Sequence, residues 1–336
     1  MTSEPIENAD NAELPTSDES LPPVEPPSAK FIVQLFVVPG LIVAAIVGVW
    51  LLFGKLASAE QNWQALVADM KSSNEHRRGR GAMGLAQALA ADRNRKTDGP
   101  RLATNPQVAQ ELSNFLAESL KSTSQEKAII AQQDLLTQAL GFMDVTEFVL
   151  PVLREAMQDT RDREVRKNAV RSVALIADRA KQRGDPLTDP GIIEELSVVS
   201  RDADSLTRSL AAYTLGLFPI DLVRQPLTVL LSDADSITRA NAAIAFTRHN
   251  SLDGLPVLVD VLKSAAEQKQ AVPAGDVGPI ATTNSLKAIR DLALLIDEAT
   301  RVKIVHDVEV IASGYPEARI RFEAAQTLAT LRGSGN

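Results

Sequence analysis

The sequence predicts an all-α fold, an α-solenoid of about six to seven helical hairpins, preceded by a disordered tail and one transmembrane helix. Three observations carry this expectation. The block Asp202-Ala203-Asp204-Ser205-Leu206-Thr207-Arg208 returns 31 residues later as Asp233-Ala234-Asp235-Ser236-Ile237-Thr238-Arg239, and both blocks run on into Ala pairs, Ala211-Ala212 and Ala242-Ala243. Self-similarity at a period of roughly 30–45 residues marks repeat architectures, in which each supersecondary unit buries its apolar face only by stacking on the next. Apolar residues also recur in three- and four-residue steps, as in Val149, Val152, Leu153, Ala156 and Met157, the spacing of one helix face. Finally, the composition changes character twice before residue 60.

Residues 1–29 are rich in proline and carry seven acids (Glu4, Glu7, Asp10, Glu13, Asp18, Glu19, Glu25) with no Lys or Arg. Such a segment buries too little apolar surface to offset its ordering entropy and reads as a disordered acidic tail. From Phe31 to Phe53 the composition inverts: 23 residues hold no charge, and Gln34 is their one strongly polar side chain. As a helix this run is about 35 Å long, enough to cross a hydrocarbon core of about 30 Å. Lys30 and Lys55 bracket it, and Trp50 stands near one end, where interfacial aromatics gather. A cleaved signal peptide would need a shorter run and a basic leader. The expectation is therefore a single-pass protein of the cell membrane contacting the bilayer through 31–53. Gly40, Ala44 and Gly48 recur every fourth residue, a small-residue stripe that would let two such helices form a homodimer. Lys30 on one side against Lys55 and Lys71 on the other tilts the positive-inside rule toward cytoplasmic repeats.

Beyond residue 60 the pattern pairs helices, a first (A) and a second (B) in each unit: 60–71 with 76–91, 106–121 with 125–141, and 145–158 with 163–181. The pairs 190–200 with 205–217, 221–232 with 236–248, 254–270 with 281–296 and 299–313 with 317–332 follow. Two irregular stretches interrupt it: 181–190, which lengthens one repeat, and 270–284, whose Pro and Gly residues read as a long loop.

The B helices share a signature: an acid near the inter-helix turn, an Arg in the first turn, and Ala at Arg+3, often also at Arg+4. Asp162 and Arg166 lead to Ala169, Asp204 and Arg208 to Ala211-Ala212, Asp235 and Arg239 to Ala242-Ala243, and Glu317 and Arg321 to Ala324-Ala325. This pattern resembles the HEAT-repeat family of armadillo-like helical solenoids, over 60–332, most specifically in 160–250 and 317–332. The resemblance implies that Arg166, Arg208, Arg239 and Arg321 form a structural ladder with acids of adjacent turns, and that the protein binds other proteins. Thr207 and Thr238 depart from the apolar residue usual before Arg, and the first two units match loosely.

Positions that vary between repeats are free to recognise something. On the B helices these are Asn168, Leu210, Asn241 and Glu323 at Arg+2, and Arg171, Tyr213, Ile244 and Gln326 at Arg+5, the expected partner-binding face. The basic stretch 76–101 (Arg77, Arg78, Arg80, Arg93, Arg95, Lys96, Arg101) would suit anionic headgroups beside an anchor, or solvated helix ends.

Chemistry that enzymes need is sparse. Cysteine is absent, and His76, His249 and His306 are far apart, with no second His at metal-ligand spacing. No phosphate-binding loop or G-x-S-x-G occurs. No cofactor is expected. Removing the acids of 1–29 leaves 36 acids against 35 bases, too near neutrality for a nucleic-acid binder. The functional expectation is a membrane-tethered protein-protein interaction scaffold. The alternatives are an enzyme subunit on the related repeat of phycobilisome lyases, which requires a chromophore-sized pocket, and a structural spacer.

Overall fold

The computed structural model describes residues 63–95, 101–122, 126–268 and 278–333. Within them the chain is all-helical, with fourteen α-helices in seven consecutive A–B hairpins: α1 (Trp63–Met70) with α2 (Glu75–Asn94), α3 (Pro106–Leu120) with α4 (Lys127–Leu140), and α5 (Thr146–Met157) with α6 (Arg163–Gln182). The pairs α7 (Pro190–Val199) with α8 (Ser205–Leu215), α9 (Ile220–Leu230) with α10 (Ser236–Thr247), α11 (Leu255–Ala266) with α12 (Gly278–Asp291), and α13 (Glu298–Gly314) with α14 (Ala318–Gly333) complete the array.

Side chains begin these helices where the sequence offers them. Asp162, Asp189, Asp204, Asp235 and Asp297 are N-caps, each accepting a hydrogen bond from a first-turn backbone N–H at 2.8–3.0 Å. Asn74 and Asn105 do the same for α2 and α3. A cap of this kind answers one of the donors a helix leaves unpaired at its start and is worth about 1 kcal/mol. Two helix ends turn through left-handed backbone. Gly184 (φ 79°) follows α6 and Asn250 (φ 54°) follows α10. In each case the next N–H reaches back across the turn, Asp185 to Ala180 O at 3.0 Å and Ser251 to Phe246 O at 3.1 Å. Pro151 in α5 and Pro226 in α9 each remove one helical N–H donor from an A helix.

The hairpins stack in two layers. B helices pack in chain order, α2 on α4, α4 on α6, α6 on α8, α8 on α10, α10 on α12 and α12 on α14. A helices form the second layer, with α3 on α5, α5 on α7 and α11 on α13. The Ala positions of the signature are what permit this approach: Ala169, Ala211, Ala212, Ala242 and Ala243 are fully buried. The apolar interior divides into two clusters. One runs from Val67 to Phe246, and the other comprises Ala243 and residues from Leu255 to Leu331. They meet at α10, where Ala242, Ala245 and Phe246 belong to the first and Ala243 to the second. The 3-10 turn Leu252–Gly254 packs on α10 at this point. Its Gly254 is needed there, since a Cβ would meet Ala243 Cα at 2.5 Å and Ala243 O at 2.7 Å.

Three expectations are corrected. The fold does not stand as a solenoid preceded by a transmembrane helix, because no helix among the described residues is long and apolar enough to cross a membrane. The segment 31–53 itself, with its Gly40, Ala44 and Gly48 stripe, lies outside the described residues, as does the tail 1–29. Single-pass localisation in the cell membrane, with cytoplasmic repeats, is withdrawn on the same finding, and bilayer contact and homodimerisation through that stripe have no support. The reading of 270–284 as one long loop also changes. Residues 278–284 are the start of α12, where Pro279 sits in the first turn, which tolerates it. The Thr282 and Thr283 hydroxyls donate to the carbonyls of Gly278 (2.9 Å) and Pro279 (2.8 Å), holding that turn in helix. Residues 269–277 lie outside the described residues.

Candidate functional site

The repeated arginines lie at the A–B turns. In three hairpins the guanidinium folds back on its own turn and donates Nη1 to the carbonyls six and five residues earlier. Arg208 reaches Asp202 O (2.8 Å) and Ala203 O (3.1 Å), Arg239 reaches Asp233 O (2.7 Å) and Ala234 O (3.0 Å), and Arg321 reaches Tyr315 O (2.6 Å) and Pro316 O (2.8 Å). Two arginines also cross to the following turn. Arg166 pairs with Asp202, and Arg208 holds Asp233 bidentately at 2.8 and 2.9 Å. Asp233 in turn accepts from the Asp235 N–H at 2.8 Å. The Arg208 guanidinium holds the Asp233 carboxyl below the usual carboxylate range, and Asp204 is held low mainly by the Thr207 hydroxyl. Among the described residues Arg239 and Arg321 make the turn contacts without a carboxylate bond, so the four do not behave alike.

One member escaped the sequence pattern. Arg78 in α2 donates Nη1 to Ser72 O (3.1 Å) and Ser73 O (2.9 Å), the same six-and-five geometry. Its Arg+3 position is Gly81 rather than Ala, and a Cβ there would meet Leu66 O at 2.6 Å and Met70 N at 2.8 Å. The signal that would have found it is the spacing from the N-cap: Arg78 follows Asn74 by four residues, as Arg208 follows Asp204. In the second hairpin that spacing from Glu126 leads to Ile130, which packs against the core, and Arg161 from the next turn donates to Leu120 O instead.

The residues expected to form a partner face separate into two rows. At Arg+2, three of four are engaged with the preceding B helix. Asn168 donates to Asp134 of α4, Asn241 donates to Ser209 Oγ of α8 at 2.8 Å, and Glu323 pairs with Arg290 of α12 at 2.7 Å. Leu210 packs, half-buried, against the core. This row belongs to a second set of inter-repeat bonds along the B layer, with Ser172 Oγ on Thr137 O (2.8 Å), Arg179 on Asp144 (2.8 Å) and Thr327 Oγ1 on Leu286 O (3.2 Å). The Arg+5 row faces outward. Arg171, Tyr213 and Gln326 are exposed and Ile244 is half-buried. Arg171 donates to Asn168 Oδ1 at 3.1 Å, and Gln326 accepts from Arg290 at 3.2 Å. Tyr213 lies under the Arg248 guanidinium, whose Cζ is 4.5 Å from the ring centroid. Leu175, 41% exposed, continues the row on α6, and Leu206, 47% exposed, stands two turns before Tyr213 on α8.

Grooves also open elsewhere among the described residues. One of about 600 Å³ between α3 and α5 is lined by Ser113, Asn114, Phe148, Arg154 and Glu155, and one of about 550 Å³ beside the Arg166 turn is lined by Arg163, Val198, Arg201 and Asp204. Among the described residues no group of three or more His, Asp or Glu is placed to hold a metal ion.

No family model matches the chain, and no curated protein matches it. Solved structures of similar fold include an engineered protein (18% identity, 80% of this chain and 68% of that one, TM-score 0.47). A designed armadillo repeat protein in complex with the peptide (KR)4 (12% identity, 81% and 100%, TM-score 0.40) and human deoxyhypusine hydroxylase in complex with glycerol (17% identity, 83% and 99%, TM-score 0.31) are others. These scores are low, so the assignment of a helical-repeat solenoid rests on the stacked hairpins themselves.

Proposed function

We propose that the chain is a protein-binding scaffold that engages its partner through the outward row of the B layer. The observation that carries this reading is the row itself. Tyr213 and Leu175 are left exposed on helices whose other faces are locked by side-chain bonds between repeats, so an aromatic and an aliphatic anchor are presented on a rigid support. Aromatic anchors held in place lose little entropy on binding, and repeat arrays offer them along an extended face. In the same reading Arg166, Arg208, Arg239 and Arg321 serve the stack, and binding falls to Arg171, Tyr213, Ile244 and Gln326.

The test is a photo-crosslinking amino acid at position 213, with position 229 on α9 as the control, since Val229 in the other layer is at least as solvent-facing (53% exposed against 38%). A discrete adduct is expected from 213 and not from 229, and it should vanish when Arg171, Leu175 and Gln326 are replaced by Ala. Identical adducts from both positions, or an adduct that survives those replacements with helicity intact, would overturn the reading.

A further inference from the structure

Charge is distributed unevenly along the outward row. Between α6 and α10 three cations stand around the apolar anchors: Arg171 two turns before Asp178, Lys181 at the end of α6, and Arg248 at the end of α10. Most partly buried arginines of the array have a carboxylate, as Arg161 has Glu155 (2.8 Å), Arg179 has Asp144 (2.8 Å) and Arg208 has Asp233 (2.8 Å). Lys181 and Arg248 have no carboxylate partner among the described residues. Arg248 gives one donor to Tyr213 O (3.2 Å) and its flat face to the Tyr213 ring, which leaves the rest of the fork without an acid.

The titratable and charged groups facing this cluster are few. Asp178 is the one acid felt by both Lys181 and Arg248, and it accepts a bond from Gln182 Nε2 at 2.7 Å. His249 of the same turn donates Nε2 to Gly216 O at 3.2 Å, and Arg224, which also acts on His249, is spent on Asp253. Burial lowers the pKa of both Lys181 and Arg248, and the Arg248 charge lowers that of Lys181 further. With Asp178 the one acid acting on both, Lys181 and Arg248 leave a positive potential beside the apolar side chains of Leu175, Tyr213 and Ile244. The carbonyls at the helix ends account for one donor of Arg248 and one of His249, and for none of Lys181.

We infer that the α6–α8–α10 surface recognises an acidic-hydrophobic peptide segment of the partner, placing apolar side chains on Leu175, Tyr213 and Ile244 and a carboxylate between Lys181 and Arg248. This rests on the proposed protein-binding role and adds to it the chemistry of the ligand. Charge complementarity selects the partner and sets the salt dependence, while the apolar contacts supply most of the affinity.

The experiment is selection of a random peptide display library on the immobilised full chain, followed by fluorescence anisotropy of the selected peptides. Selected sequences should combine Asp or Glu with Leu, Phe or Tyr. Replacing their acids by Asn or Gln should weaken binding about tenfold, and added salt should weaken it likewise. Lys181→Glu, on a side chain with no hydrogen bond or ion pair among the described residues, should also weaken binding about tenfold with helicity unchanged. Arg248→Gln is read only alongside it, because Arg248 also contributes to the α8–α10 contact. Selection of basic or uncharged peptides, or equal binding by the amide isosteres, would overturn the acidic preference while leaving the protein-binding role standing, provided Tyr213→Ala still abolishes binding. Peptides indifferent to both Tyr213→Ala and Lys181→Glu, or no selected peptides at all, would overturn both.

Discussion

The Arg208–Asp233 pair is the sharpest place to test whether repeats are joined by charge. Arg208 donates four hydrogen bonds, two to Asp233 of the next turn and two to carbonyls of its own, and the two side chains are only 16% and 10% exposed. Arg208→Ala leaves the Asp233 carboxylate half-satisfied, by the Asp235 N–H alone, and two turn carbonyls without their donor. Losing one partner of such a pair costs about 3 kcal/mol, more than the pair contributes over a well-packed apolar replacement. Asp233→Asn keeps the acceptor for Asp235 N–H and should cost about 1–2 kcal/mol. The double variant should then show a coupling of about 1–2 kcal/mol. Urea unfolding followed by circular dichroism gives the totals, and amide exchange in α8 and α10 shows where the loss falls, because a repeat array opens locally before it unfolds globally. The pH dependence has a defined sign. Arg208 depresses the Asp233 pKa in the folded state, so the stabilisation is present above the ordinary carboxylate pKa and is lost as pH falls through the lower folded value. Arg208→Ala should shrink this pH-dependent contribution, since its largest cause is gone. A cost under about 0.5 kcal/mol, or strictly additive single variants, would show that the turns are spliced by packing alone.

Other positions give independent tests. Gly81→Ala drives a methyl into the backbone of α1 and should cost about 2–3 kcal/mol, with exchange protection lost first in α1; an unchanged urea midpoint would contradict the close approach at Leu66 O. Asp235→Ala removes the acceptor for Thr238 N and Oγ1, both at 2.8 Å, and should lower stability by about 1–2 kcal/mol, whereas Asp235→Asn should recover about half by calorimetry. His249 has its pKa lowered by burial and by the neighbouring Lys181 charge. Folding therefore favours its neutral form, and stability should fall as pH drops below about 6.5 until the folded state itself takes the proton. His249→Gln should flatten that slope, as read from urea midpoints across the range.

The hairpins from the third to the fifth were legible because each carries its whole signature in consecutive residues: an N-capping Asp, an Arg four residues on, and Ala at the close contact. The first hairpin uses other residues for the same geometry. Asn74 caps, Gly81 takes the Ala position, and Arg78 bonds the carbonyls of two serines, so of the signature's side chains the Arg alone repeats. In the second hairpin Ile130 occupies the Arg position, and the carbonyl at Leu120 is answered from a distance by Arg161. The candidate face was half legible. Variation between repeats marks solvent-facing positions such as Tyr213, but it marks equally the places where each pair of B helices makes its own match. Asn168 with Asp134, Asn241 with Ser209 and Glu323 with Arg290 are three different solutions to one packing problem. Sequence spacing places Arg+2 and Arg+5 on one helix, and only the neighbouring helix decides which of them is covered. Lys181 and Arg248 lie outside the repeat register and carried no signal; what marks them is that they share the influence of one acid, Asp178, and are ion-paired to no carboxylate among the described residues.

The division of the interior at α10 gives the array a seam. Ala242 and Phe246 look toward one core and Ala243 toward the other, so a single helix is shared by a larger and a smaller apolar block. Each block also carries its own spectroscopic reporter: Trp63 packs against the larger, and Tyr315, 3% exposed, is buried in the smaller. Pulled from its ends, such a molecule should part in two steps rather than one, with the rupture set by how firmly α10 holds both sides. A partner seated across α6, α8 and α10 would grip the larger block up to that seam and stiffen it without touching the last two hairpins.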